Sequence, residues 1–245
     1  MLKVDAFNHI WPPVYYDALT KVTGPMTAIT RRSEAQPMMT NLDERFRIMD
    51  LYDDYAQILS LGSPPYELVA GKSKSIELAR IGTDSQAELC NKNPDRFKGF
   101  ISTPPMGSGQ EAILSETRYA IEDAGACGIQ IYTHVNGRPL DDPEFEPLFD
   151  YMAEKDLPIW IHPARSAEMA DYPMEDKSKY EIWWTIGWPY ETSAAMTRLV
   201  YSKAFDRLPN LKVITHHGGG MIPFFEGRFG PGNDVLGART SDKDY

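Results

Sequence analysis

No stretch of this 245-residue chain approaches the roughly 20 apolar residues that a membrane-spanning helix needs, and the first ten residues hold no apolar signal core. A cytoplasmic protein is the expectation. Cysteine is scarce: Cys90 and Cys127 are the only two, and their spacing fits neither a metal site nor a redox pair. Structural thiols in a reducing compartment fit that usage. Blocks of lysine and arginine are missing too, and 35 acidic against 25 basic residues leave a formal net charge of −10. Such a field repels polyanions, so extended nucleic-acid binding is disfavoured, while a small anion is still open to capture by local arginines. Disorder is excluded by a 42% hydrophobic content with 24% charge, and the length suits one domain over residues 1–245.

Short apolar runs recur along the chain. Leu2 to Phe7, Tyr55 to Leu61, Phe97 to Thr103, Cys127 to His134, Leu157 to His162 and Leu211 to His217 read as six buried strands of the parallel kind. Helices are expected between them, at Leu42 to Tyr52, Lys74 to Lys92, Gln110 to Ala124 with Gly125 as a stop, Asp142 to Lys155, and Tyr190 to Phe205. In the fourth of these, Phe145, Leu148, Phe149 and Met152 fall at i, i+3, i+4 and i+7. Strand followed by helix, repeatedly, argues a parallel sheet with right-handed crossovers.

A doubly wound dinucleotide fold would place a glycine-rich turn after the first strand, yet Phe7 to Pro12 contains no glycine. Polar and histidine residues at several strand ends instead point to a barrel with its site at the carboxyl face. The expected fold is therefore α/β, a TIM-like (β/α)8 barrel lacking its last one or two β/α units in this chain. Truncation of a longer protein is the favoured reason. Residues 12–40 and 163–189 are long for connections and are expected as loop insertions over the mouth. The second holds Trp183, Trp184 and Trp188, which could wall an aromatic pocket or form a satellite core.

Histidines carry the chemistry. His217 ends an apolar run and precedes Gly218, Gly219 and Gly220, so a buried strand delivers an imidazole to a tight turn, with a helix expected from Met221. His162 closes the fifth run before Pro163, and His9 stands just past the first. Imidazoles brought from separate strand ends suit a metal or an acid–base site. Strand alternation would turn His216 outward, into a structural role. His134, with Tyr132, ends the fourth run and is a candidate pocket-lining residue. Tyr190, Glu191 and Thr192 read as caps of the following helix.

Taken together, Asp5 to Pro12, Asp43 to Asp50, Asp95 to Phe100, Ile159-Trp-Ile-His-Pro163, Gly187-Trp-Pro-Tyr-Glu-Thr192 and His217-Gly-Gly-Gly220 resemble the amidohydrolase-related family of aminocarboxymuconate semialdehyde and resorcylate-type decarboxylases. The resemblance implies a distorted barrel holding one divalent metal, commonly zinc or manganese. The family's ligands are a first-strand His/Glu-x-His pair, a fifth-strand histidine and an eighth-strand aspartate. His9 matches the second member of the pair, and His162 the fifth-strand ligand. His217 matches the histidine that activates water or polarises substrate, and Arg45 the arginine that holds a substrate carboxylate, for which its cationic fork is suited. Two departures bear on metal occupancy. Phe7 stands where the family has a ligand, and the aspartate has no counterpart before Tyr245; Asp234, Asp242 and Asp244 align with no strand end.

The implied activity is metal-dependent decarboxylation of a small aromatic or muconate-like carboxylic acid without a redox cofactor, zinc being the expected ion and manganese the next. A lactone or amide hydrolase would use the same site, and a noncatalytic small-molecule-binding paralogue would keep the pocket without the metal. The family also implies a homodimer or larger homo-oligomer.

Overall fold

Six apolar runs form strands: β1 (Lys3–Ile10), β2 (Tyr55–Leu61), β3 (Phe97–Phe100), β4 (Ile129–Tyr132), β5 (Pro158–His162) and β6 (Lys212–Thr215). The main helices are α1 (Pro13–Thr23), α2 (Leu42–Met49), α3 (Lys72–Lys92), α4 (Gln110–Arg118), α5 (Glu146–Glu154) and α6 (Gly187–Tyr201). The protein is seen in a computed structural model that describes residues 1–24 and 28–237. Asp242 and Asp244 lie outside the described residues. One sheet has the order β1-β2-β3 and another β4-β5-β6, with an isolated parallel bridge from Ser102 to Ile129. Each strand thus lies beside its neighbour in sequence. A doubly wound sheet reverses its order at a switch point, and no reversal occurs among these strands.

Two compact units divide the chain: Met1–Ile131 with Leu157–Ile159, and Tyr132–Asp156 with the residues from Trp160 onward. In the first, β1 pairs with β2 in parallel, with His9 opposite Ser60 and Ile10 opposite Leu61. β1 runs three residues past the expected Phe7 because pairing continues after the apolar run stops. A bulge opens between Asp5 and Asn8, where two residues of β1 face one of β2. Phe7 sits in it, 51% exposed, with its backbone N–H donating to Asp5 Oδ1 at 2.9 Å.

Residues 12–40, expected as a loop insertion, are largely helical where described. Pro13 suits the first helical position, where no N–H is needed, and Tyr15 and Leu19, one turn apart on α1, are wholly buried. They join Trp11, Leu61, Tyr66 and Leu78 in a core cluster. A second cluster sets Ile10, Leu59 and Phe97 against Met49 of α2 and Leu89 of α3. Burying a side chain of this kind contributes about 1.5–3 kcal/mol.

In the second unit, the helix expected from Asp142 is split into a 3-10 turn, Pro143–Phe145, and α5. A second proline, Pro147, removes an amide that an uninterrupted helix would use, so the regular helix begins around it. The predicted face is correct: Phe145, Leu148, Phe149 and Met152 are all at most 2% exposed. The fourth run ends early, and a small hairpin pairs His134 with Pro139 and Val135 with Arg138. Its two-residue turn, Asn136-Gly137, has positive φ at both positions (51° and 81°), as the Asn-Gly hairpin turn requires. The helix expected from Met221 is instead a 3-10 turn, Ile222–Phe224, followed by a π turn around Pro231 and the short helix Asn233–Gly237. Among the described residues no helix is long and apolar enough to cross a membrane.

Candidate metal and acid–base site

β6 ends at Thr215, two residues before the predicted end, because the backbone leaves the strand at the second histidine. His216 is still extended (φ −68°, ψ 164°), but His217 adopts φ +53°, followed by φ of +67°, +82° and +66° at Gly218, Gly219 and Gly220. Glycine accepts that region without penalty, whereas a residue with a Cβ is held there at a cost of about 1–3 kcal/mol. A Cβ on Gly220 would lie 2.4 Å from the Pro189 carbonyl oxygen, so bulk is excluded as well. The strain falls on the histidine that the sequence marks for function.

This turn overrides strand alternation. His216, expected to face outward, is 3% exposed, and its ring centroid lies 4.7 Å from that of His162. Their ligand nitrogens approach within 4.8 Å. His217 also stands beside His162, at 5.4 Å between centroids, and stacks on Trp188 at 5.3 Å with a 21° tilt. Trp188 meets His162 edge-on at 5.4 Å and is backed by Trp183 at 5.6 Å and Trp184 at 6.4 Å. The three tryptophans do not contribute alike. Trp183 is 3% exposed and supports the others from behind, while Trp188 presents its face to His217 and anchors its indole N–H on the Arg165 carbonyl at 2.9 Å.

Hydrogen bonds set the imidazole tautomers. His162 Nδ1 lies 2.8 Å from the Pro163 carbonyl oxygen, which can only accept, so Nδ1 carries a proton, and in the neutral ring the lone pair is on Nε2. In the first unit, His9 Nδ1 lies 2.8 Å from Ser60 Oγ, whose own hydrogen goes to the Asn8 carbonyl. His9 Nδ1 is therefore the donor, and in the neutral ring the lone pair is again on Nε2. Neutral imidazoles with Nδ1 tied to an oxygen and Nε2 presented are what a divalent ion takes, so this donor chemistry fits the metal implied by the sequence. Burial pulls the His217 imidazole below its ordinary 6.5, which keeps it neutral at pH 7.

Arg45, expected as a carboxylate anchor, is engaged with protein oxygens in this structure. It is 3% exposed, and its guanidinium donates to the Met38 carbonyl (3.0 Å), Asn8 Oδ1 (3.1 Å), Gln57 Oε1 (2.7 Å) and the His9 carbonyl. Burial lowers its pKa from 12.5 to about 10, leaving it cationic at pH 7. Four of its five N–H groups meet protein oxygens, so the side chain ties α2 to the end of β1 that carries His9.

His134 likewise turns its polar atoms toward protein: Nδ1 accepts the Gly137 N–H at 3.2 Å, and Nε2 lies 3.6 Å from Glu191 Oε1. Glu191 was expected to cap a helix starting near Tyr190. α6 begins earlier, at Gly187, because Pro189 tolerates the first turn. Glu191 Oε2 instead accepts the N–H groups of Ala164 and Arg165, both at 2.8 Å, and the Thr133 hydroxyl. The signal that could have found it was its place within the Gly187–Thr192 motif. Asp234, in the described part of the tail, is exposed.

A family model described as Amidohydrolase matches residues 4–232, and the chain belongs to that family. Among individual proteins, it is 35% identical over 188 residues to the 2-amino-3-carboxymuconate-6-semialdehyde decarboxylase of Dictyostelium discoideum, covering 76% of this chain and 50% of the relative. It is 31% identical over 192 residues to the gamma-resorcylate decarboxylase of Rhizobium sp. (strain MTP-10005), covering 74% of this chain and 57% of the relative. The chain therefore spans only about half of these curated relatives' lengths. Among solved structures, the 5-carboxyvanillate decarboxylase of Novosphingobium aromaticivorans, with bound manganese and 3-methoxy-4-hydroxy-5-nitrobenzoic acid, superposes with a TM-score of 0.79 at 24% identity. That match covers 99% of this chain and 73% of the other.

Proposed function

We propose that this chain carries the site of a divalent-metal-dependent carboxy-lyase acting on a small aromatic or muconate-like carboxylic acid. The observation that carries the reading is the His162 tautomer, fixed by the Pro163 carbonyl so that Nε2 presents its lone pair beside His216 and His217. Family membership and the relatives that are decarboxylases support it. In this reading the six strands and the helices between them are part of a TIM-like barrel, and the active protein is a homodimer or larger homo-oligomer.

His9 and His162 are the proposed ligands, each through Nε2, with His216 as a further imidazole donor. Zinc and manganese both suit such nitrogens. When bound, the ion supplies Lewis-acid polarisation of the substrate carboxylate and its adjacent oxygen. His217, kept neutral by burial, orients or deprotonates a water or polarises the substrate. Trp188 stacks on His217 and offers a flat wall against which a planar acid excludes water. Arg45 holds the His9 carbonyl and so acts on the site through β1.

The test is turnover of a panel of aromatic acids and lactones by the full chain supplied with manganese or zinc. Release of carbon dioxide with replacement of the carboxyl group by hydrogen is the expected result. Ring opening of lactones without carbon dioxide would replace the lyase reading by a hydrolase. Binding of an aromatic acid without turnover of either class would mark a noncatalytic paralogue.

A further inference from the structure

The Glu191 carboxylate is 15% exposed on α6 and reaches the segment that follows β5. Its Oε2 accepts the Ala164 and Arg165 N–H groups, each at 2.8 Å, and the Thr133 hydroxyl. A carboxylate only accepts, so the Thr133 hydroxyl points its hydrogen at Glu191, and the Thr133 oxygen in turn accepts the Ala164 N–H at 3.0 Å. Three donors converging on one oxygen of an anion make an over-determined anchor. Charge-assisted bonds of this kind are about twice as strong as neutral ones.

The Ala164 N–H and the Pro163 C=O belong to one planar peptide group. That carbonyl accepts from His162 Nδ1 at 2.8 Å. Carboxylate, peptide and imidazole therefore stand in line, and the position of the carbonyl that fixes His162 is set by the carboxylate on the other side of the same peptide. An anion on the N–H polarises the peptide and makes its oxygen a better acceptor, by about 10–30% per bond. The Thr133 N–H, which donates to the His162 carbonyl at 2.9 Å, holds the backbone on the remaining side.

We propose that Glu191 is the positioning residue of this site, fixing the tautomer and aim of His162 through the Pro163–Ala164 peptide, with Thr133 as its second prop. The effect on metal affinity rests on the proposed metal site; the effect on the tautomer does not. In metal-binding proteins a carboxylate commonly orients a ligating histidine directly. Here a backbone peptide is interposed, so the site gains the carboxylate's hold without a second charge against the ring.

The test is 15N NMR of the imidazoles in the metal-free full chain at a fixed pH above 7.5, together with titration by manganese and by zinc. The wild-type protein should show His162 as the Nδ1–H tautomer with a slowly exchanging Nδ1 proton. Glu191→Ala should give mixed tautomers, fast exchange and a metal Kd about ten- to a hundredfold weaker. Glu191→Gln, which keeps an acceptor oxygen, should restore the tautomer and most of the affinity. Should Glu191→Ala fail to fold, Thr133→Val replaces it, with an intermediate acceleration of exchange expected. A wild-type His162 in the Nε2–H form, or an unchanged tautomer and exchange rate in the variant that folds, would overturn the proposal. A Glu191-dependent tautomer in a protein that binds neither metal would uphold the relay and remove the metal reading; tight metal binding with an indifferent tautomer would do the reverse.

Discussion

Glu67 offers a quantitative test of how the first unit is packed. It lies on the short helix Tyr66–Val69, where a Cβ added to Gly107 would come within 2.6 Å of the Glu67 Cβ, and its Oε1 is buried without a hydrogen-bond partner. Burial raises its pKa from 4.5 to about 7. Between these values the folded chain holds a proton that the unfolded chain has lost, so the stability contributed is complete below pH 4.5 and is lost as pH rises through about 7. At about 1.4 kcal/mol per pH unit the difference reaches about 3 kcal/mol, and about 2 kcal/mol is expected because part of the side chain meets solvent. Glu67→Gln removes the ionisation. Urea unfolding at pH 5 and pH 8 should show the variant close to wild type at the lower pH and more stable by about 2 kcal/mol at the higher. A difference between variant and wild type that stays within about 0.5 kcal/mol at both pH values would refute the reasoning.

Arg45→Leu leaves Asn8 Oδ1, Gln57 Oε1 and the carbonyls of Met38 and His9 without their donor, and should destabilise the fold by about 3 kcal/mol or more in urea. A substrate-anchoring arginine would show the opposite pattern, a raised KM with stability unchanged. Gly220→Ala meets both a positive φ of 66° and the Pro189 carbonyl at 2.4 Å, so a loss of about 2–4 kcal/mol is expected in thermal or chemical melts. A neutral result would show that the turn can rearrange. Trp188→Ala removes the face stacked on His217, and substrate affinity in a titration should fall about two- to tenfold while Trp183→Phe, behind it, changes affinity little.

Much of the scaffold was legible because burial writes a clear pattern. The six strands and the Phe145–Met152 face of α5 follow from apolar runs and helical spacing alone, and the order β1 to β6 agrees with alternating strand and helix. In residues 12–40 length and turn residues outweigh the Tyr15–Leu19 pair in the sequence, yet the burial of that pair makes α1 part of the core. The direction of His216 differs from the expectation for another reason. Period-two alternation holds only while a strand continues, and the left-handed His217 ends it. Arg45 and Glu191 have opposite lessons: one matched a substrate-binding position yet is consumed by protein oxygens, and the other read as a cap yet grips the end of β5. Sequence spacing names a charged residue's neighbours along the chain, whereas its role depends on which distant donors and acceptors the fold delivers.

The central claim, that His9 and His162 hold a divalent ion in this chain, is tested most directly by metal analysis of the purified full chain alongside His9→Ala and His162→Ala. Close to one manganese or zinc per chain in the wild type, lost in both variants, is the predicted result. Wild-type protein that retains no divalent metal after incubation with either ion, or metal content unchanged in the variants, would contradict it.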